Sequence, residues 1–166
     1  MTPYQSQNIP ILQQRGFPLL LGATAGILGT IPMTIFMLAM HRFLPKWQQY
    51  ALPPQEITDE LANRANLEKH MNQKQHLGAA LVSHFGYGAA MGAIYSLISK
   101  RIPLPYLFKG TLFGLVVWVA SYLGLLPSLR ISQSADEEPV QRNLLMIAAH
   151  VVWGSTTGIL AGMLRV

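Results

Sequence analysis

The chain of 166 residues is 51% hydrophobic and 11% charged, about half the charged share of a soluble domain, and its formal net charge is +5. It contains no cysteine, which excludes disulfides, thiolate nucleophiles and cysteine-ligated metal centres. Its lysines and arginines flank apolar segments and form no basic face, which argues against a nucleic-acid partner. We expect one integral membrane domain over residues 1–166.

Four stretches without a charged side chain have the length needed to cross a bilayer. They cover residues 16–40, 75–99, 110–129 and 143–164. A hydrocarbon core of about 30 Å requires roughly 20 apolar residues of helix at about 1.5 Å per residue. The sequence therefore predicts an all-α polytopic membrane protein with four transmembrane helices, at about residues 17–40, 77–98, 107–126 and 144–164.

The polar connection over residues 41–76 is long enough to contain a further helix. Thr58 is a candidate N-cap, and the two acidic residues after it suit the positive end of a helix dipole. A weak apolar stripe follows them, and neither glycine nor proline occurs between residues 55 and 77. These features predict an interfacial helix that lies on the membrane surface or merges into the second span.

The second and fourth spans share one pattern at an offset of 66 residues. In each span a histidine is followed by an aromatic residue three positions later and by glycines at four and eight. The two sets are His84, Tyr87, Gly88 and Gly92, and His150, Trp153, Gly154 and Gly158. Because each unit has two spans, both copies enter the membrane in the same direction. We therefore predict two pseudo-repeated hairpins related by a pseudo-two-fold axis along the membrane normal.

Glycines four residues apart place strips without side chains on one face of each span. Such strips allow two helix backbones to approach closely where lipid offers no hydrophobic drive for association. We assign helix packing as the main role of the strip glycines, which are Gly22, Gly26, Gly88, Gly92, Gly110, Gly114, Gly154, Gly158 and Gly162.

His84 and His150 are the candidate cofactor-binding residues. Each lies about seven residues, or roughly 10 Å, inside its span, and an ionisable group at this depth should face the bundle interior or a wet cavity. In the interpretation that we favour, each imidazole is a neutral structural group. It would bond to a carbonyl or to a hydroxyl on a neighbouring span, for which the candidates are Thr30, Thr34 and Ser121.

Two functional interpretations of the histidine pair remain open. In the first, the pair ligates haem iron or chlorophyll magnesium, and Gly88 and Gly154 clear room for the macrocycle. In the second, the pair lines a pathway for protons or a small solute, because imidazole titrates near neutral pH. The sequence identifies no cofactor. Haem and chlorophyll are both compatible with it, and we favour the absence of a cofactor over either.

The seven acidic residues all lie in connections, away from the histidines of the spans, which argues against hydrolase chemistry. We expect no enzyme, and a membrane enzyme is the third hypothesis. A site at the membrane boundary that pairs Glu56 or Asp59 with His70 or His76 is an alternative. A solvated helix face explains these residues more simply. We assign no catalytic residue and no metal ligand.

Four short segments of spans two to four carry a family resemblance. They are His84 with its glycines, the strip of Gly110 and Gly114 that leads to Trp118, the exit Leu125-Leu126-Pro127, and His150-Val-Val-Trp153. These segments resemble the YagU-like family of uncharacterised bacterial inner-membrane proteins. The resemblance implies a polytopic protein of the inner membrane. It implies no activity, and no catalytic residue is carried over from it.

These observations predict a small structural, assembly or accessory subunit of a larger membrane complex. Its partners would be the lipid bilayer and other membrane subunits or copies of itself. The alternative is a transporter or channel-like protein whose centre the two histidines line. We expect a bacterial inner (cytoplasmic) or thylakoid-type membrane, with both termini in the cytoplasm because Lys100 and Arg101 lie in a short connection.

Overall fold

The computed structural model describes residues 11–131 and 135–165, in which all regular secondary structure is helical. Five helices follow one another within these residues: α1 (Ile11–His41), α2 (Pro53–Arg64), α3 (Gln73–Ser99), α4 (Tyr106–Ser128) and α5 (Val140–Met163). Short 3-10 turns at Lys46–Gln48 and Glu68–His70 lie in the first connection. The N-terminal tail that we expect in the cytoplasm lies largely outside the described residues.

Helices α1, α3, α4 and α5 are long and apolar enough to cross a membrane, which confirms the four predicted spans. α3 begins earlier than its predicted span because Asn72 and Gln75 form a capping box. The Asn72 side chain accepts from the Gln75 N–H at 3.1 Å, and the Gln75 side chain accepts from the Asn72 N–H at 2.8 Å. These polar residues extend the helix beyond its apolar part.

The helix of the first connection is α2, which begins at Pro53 and not at the predicted cap Thr58. Proline suits the first turn of a helix because the donor that it lacks has no partner there. α2 ends before Asn66, whose φ of 55° turns the chain while the Leu67 N–H donates to the Ala62 carbonyl at 2.9 Å. α2 is therefore a separate helix, and the prediction that it merges into the second span is wrong.

The four spanning helices pack in an open arrangement. α1 packs against both α3 and α5, and α5 also packs against α4, whereas α3 and α4 make few contacts with each other. α2 packs against α3. The bundle therefore consists of two pairs, α1 with α3 and α4 with α5, which join through α1 and α5.

Glycines occupy the closest approaches within both pairs. A Cβ built on Gly22 would lie 2.5 Å from the Gly92 carbonyl oxygen, and one on Gly92 would lie 2.7 Å from the Gly26 Cα. In the second pair, a Cβ on Gly110 would lie 2.7 Å from the Gly158 Cα. A side chain at these positions would displace a neighbouring backbone. Within each pair, the backbones of the two helices are therefore in direct contact.

The glycine contacts are confined to one half of the bundle. The strip glycines fall in the first halves of α1 and α4 and in the second halves of α3 and α5, and this half contains the turn between α3 and α4. In the other half, near α2, larger side chains such as Met33 and Met37 line a space between the helices. The distribution of glycine along the chain thus places an interior space at the α2 end.

Candidate functional site

A cavity of about 350 Å³ lies in the half of the bundle near α2. Apolar side chains from α1, α2 and α4 make up most of its wall, including Met33, Met37, Ile57, Leu61, Leu125 and Leu126. Binding pockets for small molecules have volumes of about 300–1000 Å³ and mostly apolar walls. The cavity therefore has the size and lining of a site for a small apolar molecule.

Both candidate histidines line this cavity. They also line an adjoining space of about 20 Å³, next to Thr30 and Trp153. His84 lies eleven residues after the start of α3 and His150 ten residues after the start of α5, which places each about 15 Å along its helix. Both helices begin before their apolar spans, so this distance along the helix is longer than the predicted 10 Å inside the span, which stays a prediction.

His150 has a defined hydrogen bond at one ring nitrogen. Its Nδ1 lies 2.8 Å from the Met146 carbonyl oxygen, and its side chain is 6% exposed. A carbonyl can only accept, so Nδ1 carries the proton, and the neutral ring keeps a lone pair on Nε2. His150 therefore offers a hydrogen-bond acceptor at the cavity wall.

The Nε2 atom of His84 is buried and has no hydrogen-bond partner within the described residues. The hydroxyls predicted as partners bond elsewhere: Thr30 and Thr34 each donate to a carbonyl of their own helix, and Ser121 is bonded to Tyr87 at 2.8 Å. An unpaired polar atom away from water costs about 1–3 kcal/mol. A bound group that pairs with this nitrogen would recover that free energy.

The aromatic residue of each histidine segment bonds to the opposite helix pair. Tyr87 of α3 is hydrogen-bonded to Ser121 of α4, and Trp153 of α5 donates from Nε1 to the Gly26 carbonyl of α1 at 3.2 Å. α1 and α4 are the first helices of the two predicted hairpins. Each contact therefore joins one helix pair to the other.

The glycines predicted to clear room for a macrocycle lie against other helices. A Cβ on Gly88 would overlap the Thr30 hydroxyl, and one on Gly154 would lie 2.9 Å from the Gly114 Cα. Because this space is filled, the two glycines offer no platform for a haem or chlorophyll plane. In the part of the chain that the structure describes, no group of three or more His, Asp or Glu residues is placed to hold a metal ion.

α4 changes its winding where it borders the cavity. Residues Ala120–Leu125 form a π-helical segment inside this span. Such segments interrupt the regular backbone hydrogen bonding and occur frequently at functional sites. Tyr122 of this segment lines the cavity, and its ring packs edge to face against the His150 ring with a centroid distance of 5.8 Å.

Polar contacts hold α2 against α3. The Thr58 hydroxyl is hydrogen-bonded to Ser83 at 2.8 Å, and the Asp59 carboxylate lies 2.7 Å from Nδ1 of His76. The boundary pair considered from the sequence is thus present as a contact between two helices. These two contacts attach α2 to α3.

The end of α2 is attached to α4 through one arginine. Arg64 donates to the Leu129 and Arg130 carbonyls at 2.8 and 2.6 Å, and thereby caps the C-terminal end of α4. It also pairs with Glu60, one turn earlier in α2, at 2.7 Å. α2 therefore connects α3 to the end of α4, and its side chains form one wall of the cavity.

A buried arginine attaches the first connection to the start of α5. Arg142 is 3% exposed, donates to the Ala51 carbonyl at 2.8 Å, and stacks over the Tyr50 ring with its Cζ 3.5 Å from the centroid. The carboxylates of Glu56 and Glu138 lie 3.4 and 3.5 Å from its nitrogens. The planar guanidinium suits this combination of oxygen acceptors and a ring face.

The environment of this arginine shifts the pKa of two neighbouring groups. Burial raises the pKa of the Glu56 carboxyl, and the charge of Arg142 opposes the rise. Burial and the hydrogen bond that the Tyr50 hydroxyl donates to Glu138 at 2.5 Å raise the pKa of Tyr50 to about 12. This cluster organises the connection at the end of the bundle.

Residues 22–159 match the sequence profile of DUF1440, a family described as a protein of unknown function. The chain belongs to this family. The match reaches into all four spans and includes α2 and both histidines, so the cavity lies within the DUF1440 region. No curated protein and no solved structure matches the chain. The family assignment supplies no activity, and the YagU-like relationship stays a prediction.

Most residues of the cavity wall carry no signal in the sequence that marks them as part of a site. His84 and His150 stand out because an ionisable residue is unusual inside an apolar span. Tyr122 and Ile57 carry no comparable signal, because aromatic and aliphatic residues are common at such positions. The capping pattern of Asn72 and Gln75 is a sequence signal that marks the start of α3.

Proposed function

We propose that this protein is a membrane-embedded accessory protein that binds a small apolar molecule in the cavity between its helices. The observation that carries the proposal is a cavity of about 350 Å³ whose wall contains two imidazoles, one with a buried nitrogen that has no hydrogen-bond partner in the described part of the chain. Protein interiors are close-packed, and apolar cavities of about 150 Å³ already bind benzene. A ligand would restore the missing contacts and pair with the nitrogen.

The bilayer is the source of the ligand in this proposal. α3 and α4 make few contacts, and the cavity wall at this gap includes half-exposed side chains such as Tyr87, Leu125 and Leu129. Lipid surrounds these residues in a membrane. An apolar molecule dissolved in the bilayer would therefore reach the cavity between the two helices without crossing water.

Transport of the same molecule is the second candidate. A further space of about 120 Å³ lies between α1, α2 and α3, and it shares Met37, Pro54 and His84 with the main cavity. A molecule that moved from one space to the other would pass His84. Release of a preloaded probe from proteoliposomes distinguishes transport, which requires flux, from storage, which requires only retention.

Ligand retention tests the proposal directly. The full chain is purified in a mild detergent and extracted with organic solvent, and the extract is analysed by mass spectrometry. We expect one small apolar molecule in about equimolar amount. An extract with a Soret or chlorophyll band would instead support the cofactor interpretation of His84 and His150, whereas a preparation without any retained molecule would contradict the proposal.

Two matched tryptophan variants locate the retained molecule. Leu126→Trp places an indole in the cavity, because Leu126 is 5% exposed and lines its wall. Val82→Trp adds the same side chain on α3, at a position 75% exposed to the surroundings. We expect the molecule to be lost from the first variant and kept by the second. Equal retention by both would place it outside the cavity.

The role as a subunit of a larger complex is a separate part of the proposal. Copurification of partner subunits in fixed stoichiometry would support it, and a strictly monomeric particle in a native membrane extract would oppose it. Location in a bacterial cytoplasmic membrane, with cytoplasmic termini, is also proposed. The resemblance to the YagU-like family supports the location, and the basic pair Lys100 and Arg101 in the turn between α3 and α4 supports the orientation.

A further inference from the structure

The polar atoms of the cavity wall indicate which chemical group the ligand carries. This inference rests on the proposed function, because it requires a ligand in the cavity. We infer that the ligand is a small apolar alcohol or phenol whose hydroxyl lies between His84 and His150, while its apolar body occupies the larger space.

The acceptor nitrogen of His150 favours a ligand that can donate a hydrogen bond. Its Nδ1–H is used by the Met146 carbonyl at 2.8 Å, so the neutral ring presents a lone pair at Nε2. A ketone, an ether or a hydrocarbon has no proton for this acceptor. A hydroxyl group has one, and its bond to His150 replaces the hydrogen bond that it makes outside the cavity.

His84 supplies the second half of the site. Its Nε2 is buried without a partner among the described residues, and both histidines line the same small space of about 20 Å³. This volume is about that of one water-sized group. A hydroxyl both donates and accepts, so it can donate to His150 and accept from an Nε2–H of His84 at the same time.

The other polar groups around the small space already have partners. The Thr30 hydroxyl and the Trp153 N–H both donate to the Gly26 carbonyl, at 2.8 and 3.2 Å. The Tyr87 hydroxyl is bonded to Ser121 at 2.8 Å. The two imidazoles are therefore the groups through which this space selects the polar end of a ligand.

The wall chemistry also separates an alcohol from a carboxylic acid. Among the residues that the structure describes, neither Lys nor Arg lines the large cavity or the small space. A carboxylate placed about 15 Å along the helices would lose its hydration without gaining a cation, which is costly. A neutral hydroxyl avoids this cost, and the apolar wall accommodates the rest of the molecule.

Binding of rigid naphthalene probes to the full chain in nanodiscs tests the inference. The first probe is 1-naphthol, and 1-methylnaphthalene has a methyl group of similar size in place of the hydroxyl. A third probe, 1-naphthaldehyde, can only accept a hydrogen bond. Affinities are measured by equilibrium dialysis, with nanodiscs that contain Leu126→Trp protein as the correction for partition into lipid.

We expect 1-naphthol to bind at least tenfold more tightly than the other two probes, because each of them leaves the Nε2 lone pair of His150 unpaired. His150→Phe should remove this preference while weak binding of 1-methylnaphthalene persists. His150→Gln, which restores an acceptor oxygen, should recover part of it. The comparison on the unmodified chain remains decisive even if a His150 variant does not fold.

Two further outcomes separate this inference from the proposed function. Equal binding of all three probes, lost in Leu126→Trp, would overturn the hydroxyl assignment and leave the apolar binding site standing. Binding of no probe above the Leu126→Trp background would overturn both. Preference for 1-naphthaldehyde would reverse the proton assignment of the site and would also contradict the inference.

Discussion

Substitution of Gly92 by alanine should destabilise the bundle, whereas the same change at Gly86 on the same helix should not. A Cβ at residue 92 would overlap the Gly22 carbonyl oxygen and lie 2.7 Å from the Gly26 Cα, although ordinary contact begins at 3.4 Å, so α1 and α3 must separate by at least about 0.7 Å. A gap of this width forfeits a quarter to a half of the dispersion energy of the atoms that part. Overpacking of this kind costs about 1–3 kcal/mol.

At residue 86 a Cβ meets nothing within 4 Å. Only the gain in helix propensity applies there, up to about 1 kcal/mol relative to glycine. The same gain offsets part of the loss at residue 92. We therefore expect Gly92→Ala to lower the free energy of unfolding by about 1–2 kcal/mol, and Gly86→Ala to raise it by up to about 1 kcal/mol.

The assay is reversible denaturation of both variants in mixed detergent and dodecyl sulfate micelles, followed by far-ultraviolet circular dichroism. Because the two substitutions are chemically identical and lie on one helix, differences in micelle binding cancel. Equal midpoints for Gly92→Ala and Gly86→Ala would refute the argument that backbone contact at the glycine strip limits the packing of α1 and α3.

Three further variants follow from the polar contacts and are measured in the same denaturation assay. Arg142→Met should lower the free energy of unfolding by about 3–5 kcal/mol, because it leaves the Glu56 and Glu138 carboxylates without their cationic partner. A decrease below about 1 kcal/mol would show that the cluster contributes little. Trp153→Phe removes the indole N–H that donates to the Gly26 carbonyl at 3.2 Å and should cost about 0.5–1.5 kcal/mol, and an unchanged midpoint would argue against this bond. Glu56→Gln should abolish one part of the pH dependence of stability. Burial raises the pKa of Glu56 in the fold above its ordinary value of 4.5, so its contribution is complete below pH 4.5 and is lost as the pH rises through the raised pKa. A variant whose stability keeps the parent's pH profile would contradict this assignment.

The spans could be predicted from the sequence because their physical basis is local. An uncharged segment of about 20 apolar residues has one low-energy solution in lipid, a helix that satisfies its own backbone. The helix in the first connection was also readable, but its start at Pro53 was not. Thr58 resembles a cap in the sequence, and its hydroxyl instead donates to the Pro54 carbonyl and contacts Ser83.

The candidate site could be predicted only in part. His84 and His150 were identifiable as unusual residues in apolar spans, but their hydrogen-bond partners were not. The carbonyl partner of His150 lies in its own helix, whereas the predicted hydroxyl partners depended on how neighbouring helices rotate. Tyr122 could not be predicted as a site residue, because no local sequence pattern indicates the π-helical segment that contains it.

By itself, the sequence determined that four helices are apolar and long enough to cross a bilayer and that each carries a strip of glycines. These properties follow from hydrophobicity and side-chain volume, which each residue carries wherever it lies. The tertiary structure decided that α1 and α5 meet while α3 and α4 stay apart, and that α2 covers the resulting space. Helix rotation and pairing depend on contacts between residues distant in the chain, so the cavity and its two imidazoles became visible only in the folded bundle.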